Sequence, residues 1–323
     1  MQRILAVAVG LGRDRTAEVS RDVIKEGRVK DLRPYVAGLI DGLQKLGLKP
    51  GADFEIDYAT SEPPGLRKTV KEAVGATKPD AMFAMSTTAL KAAMAVSKEI
   101  PIVFPSISDP VDDGVVKSTA RPGKNATGVQ AMRRQTADEC LELFTATVPS
   151  MRTVIALHKP NYGPATRAMA SLKQAAKRAR VRFVSLPVKS QREIEKKVGA
   201  ITQKGDDGKP DVGVLILPDD LALSAWPLIT ELARERRLPT FFPVTDWVRA
   251  GSPSALAGFG VPQVTCGEAT APYMRKVLNG VPPRDLPVKR IGGFEWAVSK
   301  AVAAAIGITI PESVLKAADR VVG

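Results

Sequence analysis

The sequence predicts an α/β protein of two doubly wound parallel-sheet lobes joined by a multi-strand hinge. Three observations predict it. Short apolar runs alternate with segments of helical periodicity along the whole chain, the pattern of βαβ units whose sheets are covered on both faces. The two halves repeat each other's wording. Strand and helix signals continue after the second series is complete, so the chain returns to an earlier lobe and crosses between lobes more than once. The 323 residues suit about two domains, and 44% hydrophobic with 25% charged residues is the balance of a folded globular chain. No apolar run approaches the roughly 18–20 residues that cross a bilayer.

The first apolar run, residues 3–9, reads as a buried first strand. It is too short for the apolar region of a secretion signal, and Arg13-Asp14-Arg15 stands where a small-residue cleavage site belongs. Further strands are expected at 54–58, 81–85 and 102–105, with helices at about 30–46, 66–76 and 87–98 between them. A connecting segment near Gly128 leads to the second series. Its strands are Thr153–His158, 181–186, 212–217 and Thr240–Phe242, and its helices span about 164–180, 191–203 and 221–237. Pro- and Gly-containing junctions punctuate both series. Lys78-Pro79-Asp80 and Lys209-Pro210-Asp211 each lead into an apolar strand. Ile100–Pro105 before Ser108-Asp109 is echoed by Leu238–Pro243 before Thr245-Asp246. The tail adds a strand at 255–260, a helix at 264–278, a strand near 294–298 and a short helix, Lys300–Ile306. The expected division is one lobe of residues 1–128 plus about 258–285, and a second of 129–257 plus about 286–323, with a ligand cleft between them.

Ligands of open parallel sheets bind beyond the carboxyl ends of the strands. In the first series those ends carry Gly10-Leu11-Gly12-Arg13, Ser86-Thr87-Thr88 and Ser106-Ile107-Ser108-Asp109. In the second they carry His158-Lys159-Pro160-Asn161-Tyr162, Pro218-Asp219-Asp220 and Val244-Thr245-Asp246-Trp247. The candidate ligand-binding residues are Arg13, Ser86, Thr87, Thr88, Ser108, Asp109, Asn161, Tyr162, Asp219, Asp246 and Trp247. Ser86 or Thr87 caps a helix, a role worth about 1 kcal/mol, and the remaining free N–H groups suit a carboxylate. Each acid alone is equally a cap or a turn former, but as a group they suit a ligand ammonium. Tyr162 and Trp247 offer flat faces for stacking in a chain with only nine Phe, four Tyr and three Trp.

Several chemistries are excluded. The lone histidine, His158, has no Ser or Cys nucleophile at a recognisable spacing, so no triad is marked and no catalytic residue is expected. Two cysteines, Cys140 and Cys266, read as buried thiols in different lobes, neither a disulfide framework nor a zinc site. Gly10-Leu11-Gly12 lacks the third glycine of a dinucleotide fingerprint, since Arg15 takes its place, and no phosphate-binding GKS or GKT loop occurs. No metal and no cofactor are therefore expected. Forty-seven Lys and Arg against 34 Asp and Glu leave a charge of +13. The densest basic group, Lys173, Lys177, Arg178, Arg180 and Arg182, has no interleaved aromatics, so it reads as a solvated helix face and not as a nucleic-acid interface.

Longer segments carry a family likeness. IPIVFPSISDPVDDGVVKS (100–118), PGKNATGV (122–129), VLILPDDLALSA (214–225) and LPTFFPVTDWVRAGSPSALAGFG (238–260) resemble the ABC-transporter substrate-binding proteins of the tryptophan-binding (TrpX-like) type. VLNGVPPRDLPV and AVAAAIGITIP resemble that family's closing segment. The resemblance covers nearly the whole chain and implies a type I periplasmic binding fold. It places a ligand's carboxylate and amino group at loops matching Ser86–Thr88, Ser108–Asp109, Asp219 and Asp246. Three segments depart from it. Pro218-Asp219-Asp220 stands where the family often has Thr-Asp-Asn, Val261-Pro262-Gln263 replaces an aromatic, acid-containing stretch, and residues 13–28 are longer than usual.

The implied function is an extracytoplasmic solute-binding protein that captures a small molecule, an amino acid or aromatic acid, by clamshell closure. It delivers the ligand to an ABC permease, acts as a monomer and makes or breaks no bond. A periplasmic or extracytoplasmic location follows, with the secretory signal absent from this sequence. One alternative is a ligand-sensing protein that reports to a receptor. Another is an enzyme on two Rossmann-like lobes. A sugar-repressor relative requires a helix-turn-helix ahead of the first strand, for which this sequence has no room.

Overall fold

The computed structural model describes residues 1–9, 34–61, 63–131, 136–203 and 210–323. In chain order the strands are β1 (Gln2–Val9), β2 (Phe54–Ser61), β3 (Ala81–Ala84), β4 (Ile102–Phe104), β5 (Ala126–Gln130), β6 (Thr153–His158) and β7 (Arg182–Pro187). They continue with β8 (Val212–Ile216), β9 (Thr240–Phe242), β10 (Ala257–Gly260), β11 (Lys289–Arg290), β12 (Glu295–Ser299) and β13 (Arg320–Val322). The described helices are α1 (Pro34–Lys45), α2 (Pro63–Thr77), α3 (Thr87–Val96), α4 (Thr136–Thr147), α5 (Gly163–Arg178) and α6 (Gln191–Gly199). After these come α7 (Asp220–Ser224), α8 (Trp226–Glu235), α9 (Gln263–Leu278), α10 (Lys300–Ile306) and α11 (Glu312–Ala317). The chain forms two compact units, Met1–Met132 with Gln263–Gly292 and Arg133–Pro262 with Gly293–Gly323. It passes between them after 132, 262 and 292, where the sequence division stands after 128, 257 and 285.

The first unit is built on a parallel sheet in the order β11-β5-β4-β3-β1-β2. β1 runs in register with β2 from Gln2↔Phe54 to Val9↔Ser61. Successive strand residues point to opposite faces, and β1 shows the result. Leu5, Val7 and Val9 pack with Leu66 and Val70 of α2 and with Ala89 and Leu90 of α3. Ile4, Ala6 and Ala8 pack with Val36, Leu39 and Ile40 of α1 and with Ala271 and Met274 of α9. A side chain of Leu or Ile size buried this way contributes about 1.5–3 kcal/mol, which is why this strand reads as a continuous apolar run.

The second unit holds a sheet in the order β13-β12-β10-β9-β8-β6-β7, in which only the β10–β12 pair is antiparallel. One core joins Leu141 and Phe144 of α4, Leu172 of α5, Leu215 of β8, Phe241 of β9 and Val298 of β12. The order β7-β6-β8-β9-β10 repeats β2-β1-β3-β4-β5, so the repeated wording of the two halves reflects one winding used twice.

The structure corrects two readings. The connecting segment near Gly128 is strand β5, buried along all five residues beside β4. Its Ala-Thr-Gly-Val-Gln sequence lacks a strand's apolar run, because Gly128 has φ +155° and a Cβ there would stand 2.1 Å from the Phe104 carbonyl oxygen. The single helix expected at 221–237 is two helices, α7 and α8, broken at Ala225. Pro227 in the first turn of α8 has no N–H to give and its ring opposes the carbonyl four residues earlier. Four elements carried no expected range: α4, α11 and the edge strands β11 and β13.

Candidate functional site

In each sheet the strand order reverses at one point, between β1 and β3 and between β6 and β8. Helices leave such a pair toward opposite faces, which opens a crevice at the carboxyl ends of the two strands.

In the first unit, β3 leads directly into α3. Ser86 is the N-cap in extended conformation, and its Oγ accepts the Ala89 N–H at 3.1 Å. Thr87 is buried and its hydroxyl donates to Asp113 Oδ2 at 3.2 Å. That bond ties the loop after β3 to the loop after β4. The second loop is a compact turn in which Asp109 Oδ1 accepts the Asp112 N–H at 3.4 Å and the Asp109 carbonyl accepts the Asp113 N–H at 2.9 Å. The Ser108 carbonyl accepts the Gln130 side-chain amide. Ser86, Thr88, Ser108 and Asp109 are half-buried and so keep some surface open, whereas Thr87 is turned inward. Asp113, which the sequence did not single out, joins the two loops. Arg13 lies outside the described residues.

In the second unit the loops after β6 and β8 meet. Asp219 is 1% exposed and caps α7, with Oδ1 accepting the Ala222 N–H at 2.7 Å. Its Oδ2 accepts the Lys159 backbone N–H, also at 2.7 Å. Burial pushes the Asp219 carboxyl up to about 6 against the lowering effect of these two N–H groups; the Asp220 charge raises it further and the Lys159 charge lowers it. Asp220 is buried beside it, and its Oδ1 receives Lys159 Nζ at 3.1 Å. Asp220 Oδ2 is buried and has no hydrogen-bond partner among the described residues. Lys159 Nζ also stands 5.6 Å from the centre of the half-buried Tyr162 ring. Asn161 is exposed, in the left-handed region with φ +59°. Asp219, Asn161 and Tyr162 are thus brought together, and Lys159 and Asp220 join them as residues outside the candidate set.

Beyond β9, Asp246 is half-buried and Trp247 is 8% exposed. Trp247 stacks on Trp226 at 5.7 Å with 11° between the planes, and Phe242 meets it edge-on at 5.3 Å. The Arg249 guanidinium lies 4.8 Å from the Trp226 ring centre. Trp247 is therefore enclosed by aromatic neighbours, and Trp226, which opens α8, is the more exposed ring of the pair. No local sequence signal pairs these tryptophans.

His158 Nε2 stands 2.9 Å from Ser185 Oγ on the neighbouring strand β7, a pairing that the sequence spacing hides. Its other ring nitrogen faces the Lys159 carbonyl at 3.4 Å, where a catalytic base would be oriented by an acid. Cys140 and Cys266 are buried thiols outside any disulfide, in the second and first units, and burial raises the Cys140 thiol above its ordinary range. Among the described residues no group of three or more His, Cys, Asp or Glu is placed to hold a metal ion, and no helix is long and apolar enough to cross a membrane.

The profile of the family described as ABC transporter substrate binding protein matches residues 28–322. The chain is 27% identical over 285 residues to a tyrosine-binding protein of Clostridioides difficile, covering 87% of this chain and 75% of that protein. The crystal structure of a conserved domain protein from Vibrio cholerae superposes with a TM-score of 0.80 at 25% identity, covering 99% of both chains. The structure of an ABC domain from Streptococcus pneumoniae in complex with L-Trp gives a TM-score of 0.76 at 26% identity, covering 100% of both.

Proposed function

Because the chain belongs to the family of ABC transporter substrate-binding proteins, we propose that it captures an aromatic amino acid on these strand-end loops and hands it to a membrane permease. Proteins of this family bind small molecules outside the cytoplasm for import. The same extracytoplasmic place, a monomeric state and the absence of any chemical step are part of the proposal for this chain.

The observation that carries the reading is the buried, unpartnered Oδ2 of Asp220 beside the Lys159 ammonium. A buried carboxylate oxygen left without a donor is costly, and a ligand ammonium satisfies it. Asp246 on the loop after β9 adds a second acid to the same edge. The free N–H groups at the start of α3, with Ser86, Thr88, Ser108 and Asp109, suit the ligand's polar end in the first unit. The half-buried Tyr162 offers a face for a ring. The relatives that bind tyrosine and tryptophan support the ligand class.

The test is calorimetric titration with L-tryptophan, L-tyrosine and L-phenylalanine, alongside tryptamine and indole-3-propionate. The amino acids are expected to bind, and each analogue, lacking one charged group, to bind much more weakly. Binding of a sugar with no response to any aromatic amino acid would overturn the ligand class.

A further inference from the structure

We propose that the second unit carries an auxiliary site for a small apolar carboxylate, in a cavity between α8 and α10 separate from the strand-end loops. The cavity measures ≈ 170 Å³. Ala233 on α8, Leu238 ahead of β9, and Val302, Ala305 and Ile306 on α10 form its apolar walls. Thr230, Thr240 and Ser254 add hydroxyls, and Arg234 stands at the rim. Thr240 opens β9 and Ser254 precedes β10. The cavity therefore lies at the amino ends of these parallel strands, while Asp219 and Asp246 follow the carboxyl ends of β8 and β9.

Size, hydroxyl bonding and charge together set the ligand class. An apolar cavity of about 150 Å³ holds one benzene ring, so a single ring or a short branched chain fills this one. Two of the three hydroxyls, those of Thr230 and Ser254, already donate to backbone carbonyls. Thr230 Oγ1 donates to the Trp226 and Pro227 carbonyls, each at 2.9 Å. Thr240 Oγ1 accepts the Leu256 N–H at 3.3 Å, and Ser254 Oγ accepts the Arg249 N–H at 3.1 Å. Little is left for a polyhydroxylated ligand. The exposed Arg234 side chain forms no ion pair or hydrogen bond among the described residues. Close by, Arg237 Nε donates to the Ile306 carbonyl at 3.4 Å, adding a second positive group at the end of α10. A guanidinium fork beside an apolar recess fits a carboxylate carried on an apolar body.

Benzoate is the probe, with benzyl alcohol as its neutral counterpart, followed by amide and methyl NMR on the full chain. Benzoate is expected to shift Thr230, Ala233 and Val302 saturably in the millimolar range that so small a ligand reaches, equally with and without saturating L-tryptophan. Arg234→Met should weaken benzoate about tenfold and leave benzyl alcohol unchanged. Ala305→Phe, at an exposed position on the mouth, should block both. Absence of a saturable shift at these residues, benzoate shifts that survive Ala305→Phe, or equal wild-type affinity for the two probes would each overturn the proposal. If Ala305→Phe does not fold, benzoate binding unchanged by Arg234→Met overturns it. Because the readout does not depend on L-tryptophan, a failure at the strand-end loops leaves this test intact.

Discussion

Asp219 carries two tasks that its sequence position does not separate. It caps α7 and clamps the Lys159 backbone, and both of its oxygens are used inside the unit. With its carboxyl raised to about 6 from an ordinary value near 3.8, the native state holds an extra proton between those two values. Its contribution to stability therefore falls as pH rises through that window and is flat on either side, a change of up to about 3 kcal/mol. Urea midpoints taken across pH 4–7 should show wild type losing ground to Asp219→Asn as pH rises toward 6 and no further relative change above it. Asp220 and Lys159 differ in burial, with side chains 1% and 25% exposed. Lys159→Met leaves a buried carboxylate uncompensated and should cost about 3 kcal/mol or more, whereas Asp220→Ala leaves a lysine that water can reach and should cost less. In ligand titrations Asp220→Ala should lower aromatic amino acid affinity by about 10–100-fold. The sequence located these loops because strand ends are easy to read. It could not rank Asp219 against Asp220, because which acid turns toward backbone N–H groups depends on a loop sixty residues away in the chain.

At the level of elements, close backbone approach decides the packing of α1 on α9. A Cβ at Gly38 would stand 1.9 Å from the Val264 carbonyl oxygen, and one at Gly267 would stand 2.0 Å from that of Tyr35. Gly267→Ala should cost about 1–3 kcal/mol by overpacking, read as a lower urea midpoint. Gly75, inside α2 with nothing within 4 Å of its added Cβ, should do the reverse. Gly75→Ala should stabilise by about 0.5–1 kcal/mol through helix propensity and lost unfolded-state freedom. Elements with long apolar or periodic runs, such as β1, β8 and α5, were legible. β5 was not, since a glycine required by contact with Phe104 interrupts its pattern. The two-residue β11 exists only because β5 lies beside it.

For the whole molecule, the class of fold was legible because the same grammar is written twice and the tail continues beyond it. The charge of +13 said little about the ligand, since the strand-end loops of the second unit collect acids. Binding of an aromatic amino acid should raise the calorimetric unfolding midpoint, with a stabilisation of about 2.7 kcal/mol at a hundredfold excess over Kd. The passages after 132, 262 and 292 also matter before the protein is complete. A ribosome releases β1 to β5 well before α9, a delay on the order of ten seconds at roughly 5–20 residues per second. Throughout that interval Val36, Leu39 and Ile40 lack the helix that later covers them, and the nascent first unit should stay open to chaperones until α9 has emerged.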